Sequence, residues 1–323
     1  MPRWCRAAPR AANRWRKIAG SRSSRYSTAA LGCPRRRSGD AEPRLHVTDM
    51  TYSPAAIAAY FDALGAGEWE RFDRTLGDRV SLAMHTALLE RYVRPGHRIL
   101  DVGAGPGRFT ELLHHRGARV VVADLSARQL ELNRETAGVR GFASSVEAWR
   151  QLDICDLGAL DATSFDGVVA FGGPFSYVFE RRDKALAECV RVLRPGGYLL
   201  LSVMSLWGTL HRHRAALRDM PRAAMRTIIA TGDLTAETDP TSRHYCHMYR
   251  AAELRAFLAK PGLEVEQISA SSALATGVEN EFITAPEQWE ALLEYEATAC
   301  DEPGYCDAGT HLLAVVRRDS PAA

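Results

Sequence analysis

The residues with the clearest chemical meaning in this 323-residue chain lie in the stretch DVGAGPG at residues 101–107, followed by Asp124, 23 positions beyond Asp101. Glycines let a backbone approach a ligand closely, and the amides that open a following helix carry a partial positive charge. An acid at the end of the next strand accepts the hydroxyl protons of a ribose. Together they point to a ribose-bearing cofactor. The dinucleotide fingerprint G-x-G-x-x-G is not met, because the position three beyond Gly105 is Arg108, and this disfavours a pyrophosphate-binding dehydrogenase.

These residues need a strand, a turn and a helix to hold them. Residues 97–102 read as a short apolar strand entered through Arg94, Pro95 and Gly96, residues 108–116 as a helix, and residues 119–123 as a second strand ending at Asp124. Upstream, Ser53 as an N-cap with Pro54 at the first helical position predicts a helix through residues 57–64. Folding arguments therefore start near Tyr52.

Composition bounds the function. Apolar residues at 46% and charged residues at 25% fit a globular chain, and no apolar run approaches the roughly 18–20 residues of a membrane span. The net charge of +2 conceals an asymmetry: residues 1–39 hold ten Arg and Lys17 without an acid, leaving 30 basic against 39 acidic residues in the rest. So acidic a body argues against nucleic acid as partner and for a small molecule. Seven cysteines without a C-x-x-C pair suit free thiols in a reducing compartment, the cytoplasm. Residues 1–49 read as a disordered basic extension. It is either a start placed upstream of Met50 or a mitochondrial or plastid transit segment.

ILDVGAGPG at residues 99–107 and VVVAD at 120–124 resemble the first two motifs of class I S-adenosylmethionine-dependent methyltransferases. LDI at 152–154 is similar to that family's adenine-holding segment, SFDGVVAFGG at 164–173 to its fourth-strand motif, and RVLRPGGYLLL at 191–201 to its helix, turn and fifth strand. With strand candidates at 263–269 and 311–318 the resemblance spans residues 52–318, and GGPFSY at 172–177 and HYCHMY at 244–249 resemble a small-molecule branch. It implies an α/β, three-layer Rossmann-like fold over residues 50–320, with a seven-stranded, mostly parallel sheet whose last strand is antiparallel. Residues 205–249, longer than a simple crossover needs, would form a cap inserted between strands five and six.

The resemblance also implies roles. Gly103, Ala104 and Gly105 would lie against the methionine and ribose part of S-adenosylmethionine, Asp101 near its amino-acid end, and Asp124, with Leu125 beside it, at the ribose. Asp153, with Asp156 as competitor, would accept from the adenine amino group, the Ile154 amide would donate to the ring, and the backbone near Phe171 would accept from the ammonium. On the acceptor side, His244 and His247 are candidate general bases, and Tyr177 a hydrogen-bonding partner of the acceptor. The aromatic residues Tyr52, Tyr60, Phe61 and Trp69 are candidates for a lid, and the run 211–214 reads as a solvated helix face. No metal site is expected. The implied reaction is in-line methyl transfer to a small molecule; a protein or nucleic-acid acceptor, or binding without turnover, are the alternatives. The accepting atom and the oligomeric state are not legible.

Overall fold

The computed structural model describes residues 52–320, so the readings made on residues 1–49 lie outside the described residues. The first elements are helix α1 (Pro54–Leu64), a 3-10 helix (Gly65–Asp73) and α2 (Leu76–Tyr92). Ser53 caps α1 by accepting from the Ala56 amide at 3.3 Å, and Thr75 caps α2 by accepting from the Asp78 amide at 3.2 Å.

Strands and helices then alternate. The chain runs β1 (Arg98–Val102), α3 (Arg108–His115), β2 (Arg119–Asp124), α4 (Ala127–Arg140), β3 (Val146–Gln151) and β4 (Phe165–Ala170). It continues through α5 (Pro174–Tyr177), α6 (Arg182–Val192) and β5 (Leu193–Met204). Residues 205–249 hold α7 (Leu206–Arg212), α8 (Ala215–Asp219), α9 (Arg222–Thr231) and a small antiparallel pair, β6 (Asp233–Leu234) with β7 (Cys246–His247). The last elements are α10 (Ala251–Leu258), β8 (Leu263–Ala270), α11 (Pro286–Ala299) and β9 (His311–Arg318).

Seven strands form one sheet in the order β3-β2-β1-β4-β5-β9-β8. The first five pair in parallel, and β9 runs antiparallel to both β5 and β8, so six strands share one direction. The central strands are buried on both faces, as their unbroken Val, Leu and Ile runs require. Between β3 and β4 the chain passes to the other side of β1. The crossing leaves a crevice at the carboxyl ends of β1 and β4, where ligands of open α/β sheets collect.

Two apolar clusters matter for the site. One lies under the sheet, from Leu100 and Val168 to Leu199 and Leu312. The other joins residues 205–249 to the body: Leu206, Leu210, Met225, Ile228 and Met248 pack with Tyr177, and Ile57 and Phe61 of α1 pack against them. The insertion is also pinned by ions. Arg212 of α7 reaches Asp78 of α2 with two nitrogens, at 2.5 and 3.0 Å. Thus the run 211–214 is not simply a solvated face; Arg212 is committed to a pair that is half-buried.

Candidate functional site

A cleft of about 850 Å³, counted with its open mouth, lies where β1, β2 and β4 end. Its floor is the turn after β1. Asp124 organises that turn: one carboxylate oxygen accepts from the Gly105 amide and the other from the Ser126 amide, each at 2.8 Å. Gly103 has φ +69°, and a side-chain carbon there would meet Pro174 at 2.6 Å. A residue other than glycine would therefore close the gap between the β1 and β4 turns. Burial raises the Asp124 carboxyl to about 6 against the pull of the two amides, and the charge of Glu68 adds to the rise.

Gly103, Ala104, Gly105, Asp124 and Leu125 all line the cleft, as do Ile154, Phe171 and Tyr177. Asp101 does not. It is buried behind the turn, where it accepts from the Thr110 hydroxyl at 2.7 Å, and burial raises its carboxyl to about 7. Nor does Asp153 line the wall; its Oδ1 accepts from the Tyr52 hydroxyl and the Cys155 amide, both at 2.7 Å, and Tyr52 and Ile154 present the surface instead. Asp156 accepts from the Gly158 amide and faces solvent.

The acceptor candidates separate. The Tyr177 hydroxyl lies 2.8 Å from His244 Nε2, and the His244 ring stacks on Tyr60 at 5.1 Å. Burial, and then the charge of Arg71, hold the imidazole down to about 4, so it is neutral near pH 7. His247 is elsewhere. Its Nδ1 is 2.7 Å from Asp233 and its Nε2 2.8 Å from Glu253, and it does not line the cleft. The expectation of a general base at His247 is thereby corrected, because both ring nitrogens are engaged. Burial would lower its pKa, yet the two carboxylates raise it to about 8. No residue of 205–249 lines the cleft; the insertion reaches it through Tyr177.

Several wall residues were not singled out in the sequence. Glu68 and Arg71, on the 3-10 helix, face each other at 2.9 Å, and Arg71 Nη1 is 3.5 Å from the Gly172 carbonyl. Gln129 donates to the Phe61 and Gly65 carbonyls, which leaves its Oε1 buried without a partner among the described residues. That oxygen stands 3.8 Å from where a Gly105 side chain would begin. Behind the wall, His85 is buried against Phe72, Phe109 and Phe171, with Nδ1 donating to the Ser81 carbonyl at 2.7 Å and Nε2 without a partner among the described residues. Its imidazole is pushed down to about 3 by burial.

A glycine cradle that cannot accept side chains, an acid joined to that cradle and an orphaned buried acceptor are what a polar nucleoside cofactor requires. Residues 100–201 match the family described as "Methyltransferase domain". Over this stretch the chain is similar to methyltransferase domains.

Among the relatives, a ubiquinone biosynthesis O-methyltransferase of Xanthomonas oryzae pv. oryzae is 30% identical over 175 residues, 54% of this chain and 65% of the relative. A demethylmenaquinone methyltransferase of Clavibacter sepedonicus is 34% identical over 165 residues, 49% of this chain and 61% of the relative. The chain thus spans less than two thirds of the length of either. Among solved structures, the 1,6-didemethyltoxoflavin-N1-methyltransferase of Burkholderia thailandensis has a TM-score of 0.51 at 17% identity, covering 85% of this chain and 94% of its own. The [4+2]-cyclase SpnF has a TM-score of 0.56 at 16% identity, covering 84% and 98%. At these identities the structures share the fold with this chain, and a common fold hosts different reactions. No helix among the described residues is long and apolar enough to cross a membrane.

Proposed function

We propose that this chain is an S-adenosylmethionine-dependent methyltransferase of a small-molecule acceptor, acting by in-line transfer. The observation that carries the reading is the Asp124 carboxylate bonded to the Gly105 amide at the floor of the cleft. When bound, the cofactor supplies an electrophilic methyl on a sulfonium, whose displacement leaves a neutral thioether. Gly103, Ala104 and Gly105 would hold the methionine and ribose portion, Asp124 with Leu125 the ribose, and the Ile154 amide the adenine. Asp101 and Asp153 act from behind, the first by fixing the α3 end of the turn through Thr110 and the second by fixing Tyr52.

The chain's own contribution is placement and water exclusion. Phe171 and Tyr177 form part of the wall, and the Tyr177 hydroxyl would be the polar group that an acceptor meets. With His244 neutral and its proton on Nδ1, Tyr177 donates to Nε2. As an acceptor hydroxyl passes its proton to the Tyr177 oxygen, the Tyr177 proton moves to His244. An imidazole held down to about 4 is a weak proton sink, so the arrangement favours an acceptor oxygen that ionises readily, such as a phenol or enol. The relative named as a ubiquinone biosynthesis O-methyltransferase supports that class. Residues 205–249 serve as a cap that fixes His244, and the five buried free thiols among the described residues suit the cytoplasm.

Calorimetry of S-adenosylmethionine and S-adenosylhomocysteine with the full chain tests the reading, followed by transfer of a labelled methyl to a panel of phenols, enols and amines. Binding of both nucleosides and labelling of acidic hydroxyls is the expected result. No binding by folded protein sinks the assignment, and exclusive labelling of amines removes the Tyr177 relay.

A further inference from the structure

Glu68 and Arg71 stand one turn apart on the 3-10 helix Gly65–Asp73, where positions three apart are aligned. Both line the cleft, and both are largely covered, with side-chain exposures of 13% and 25%. Each reaches a different glycine corner. A side-chain carbon on Gly105 would begin 3.8 Å from Glu68 Cγ, and one on Gly172 would lie 2.7 Å from Arg71 Nη2. Gly172 has φ +86°, so the turn after β4 takes a form that suits glycine and leaves the space in which the guanidinium lies.

The ion pair is only partly self-satisfied. Arg71 Nε lies 2.9 Å from Glu68 Oε1 as an ion-pair contact without hydrogen-bond geometry, Nη1 has a long contact of 3.5 Å to the Gly172 carbonyl, and among the described residues no hydrogen bond engages Nε, Nη2 or the Glu68 carboxylate. A cation and an anion held side by side, each with an open face, match a ligand carrying both charges on one carbon. Asp124 stands close enough to Glu68 for the two charges to repel, which an incoming ammonium would relieve.

We infer that Glu68 and Arg71 form a two-charge clamp for the α-amino acid of the cofactor, Glu68 receiving the ammonium and Arg71 the carboxylate. The inference rests on the methyltransferase reading. The clamp extends the site beyond the matched residues 100–201, into the segment that precedes β1. A simple structural ion pair, by contrast, would affect all ligands of the cleft alike.

The test compares S-adenosylhomocysteine, which has the amino acid, with 5′-methylthioadenosine, which lacks it, by calorimetry on the full-length chain, with circular dichroism and thermal unfolding to establish folding. Arg71→Gln and Glu68→Gln should each weaken S-adenosylhomocysteine about ten- to hundredfold while changing 5′-methylthioadenosine by less than about threefold. Arg71→Lys should recover part of the loss. Equal loss for both ligands in folded variants, or unchanged S-adenosylhomocysteine binding, overturns the clamp. Wild-type protein that binds S-adenosylhomocysteine no more tightly than 5′-methylthioadenosine overturns the clamp alone. Wild-type protein that binds neither overturns the methyltransferase reading and the clamp with it.

Discussion

The hydroxyl of Tyr177 and Nε2 of His244 are 2.8 Å apart, although 67 residues separate them. One partner belongs to the turn after β4 and lines the cleft; the other belongs to the insertion and is shielded by Tyr60. If the pair moves the acceptor's proton, Tyr177→Phe and His244→Gln should each lower kcat about 10- to 100-fold. Affinity for S-adenosylhomocysteine should stay within about threefold, because neither group is placed at the cofactor. A variant with full kcat removes its residue from the relay.

Asp124 joins two backbone amides at the floor of the cleft. Asp124→Ala should weaken S-adenosylhomocysteine by at least about tenfold, since charge-assisted bonds contribute about 1.5–3 kcal/mol. Asp124→Asn keeps only one acceptor atom and should fall between the two. Unchanged calorimetric affinity in folded Asp124→Ala protein contradicts the ribose assignment.

His247 predicts a pH dependence of stability. Its pKa rises from an ordinary 6.5 to about 8 in the fold through Asp233 and Glu253, so the folded chain holds the proton more tightly than the unfolded one. The corresponding contribution, about 2 kcal/mol, is fully present below about pH 6.5 and is lost as pH climbs through 8. Thermal unfolding midpoints between about pH 6 and pH 9 should therefore decline in wild type more steeply than in His247→Gln. Parallel profiles would contradict the assignment.

Much of the site was legible because its signal is local. Gly103, Gly105 and Asp124 fall within one turn and the strand after it, and the chain-order motifs from residue 99 to residue 201 name the sheet around them. What escaped depends on distant partners. His244 and His247 look alike in sequence, three positions apart, and only the packing sends one to Tyr177 and the other to Asp233 and Glu253. Arg212 looked solvated because Asp78 lies 134 positions away. The third strand, Val146–Gln151, lies at the sheet edge with mostly polar, partly exposed residues, and so lacks the apolar run that marked β1 and β2. Glu68 and Arg71 lie in a segment without strong periodicity and acquire meaning from two glycine corners far along the chain.

Gly208 provides a packing test. A side-chain carbon there would fall 1.7 Å from the Gly309 carbonyl oxygen, a backbone atom that cannot rotate away. Gly208→Ala should therefore destabilise the protein by more than about 3 kcal/mol in denaturant unfolding, despite the higher helix propensity of alanine. A loss below about 1 kcal/mol would mean that α7 shifts freely from the loop before β9.

The insertion leaves and rejoins the body at a single doorway. The Tyr249 amide donates to the Met204 carbonyl at 2.8 Å, and the Leu206 amide to the Tyr249 carbonyl at 3.0 Å, so its two ends are already tied together. To the sheet, 45 residues of insertion and a tight turn present the same boundary. The closed ends let the length of residues 205–249 vary without moving the sheet, while Arg212 and Tyr177 tie the segment to α2 and to the turn after β4.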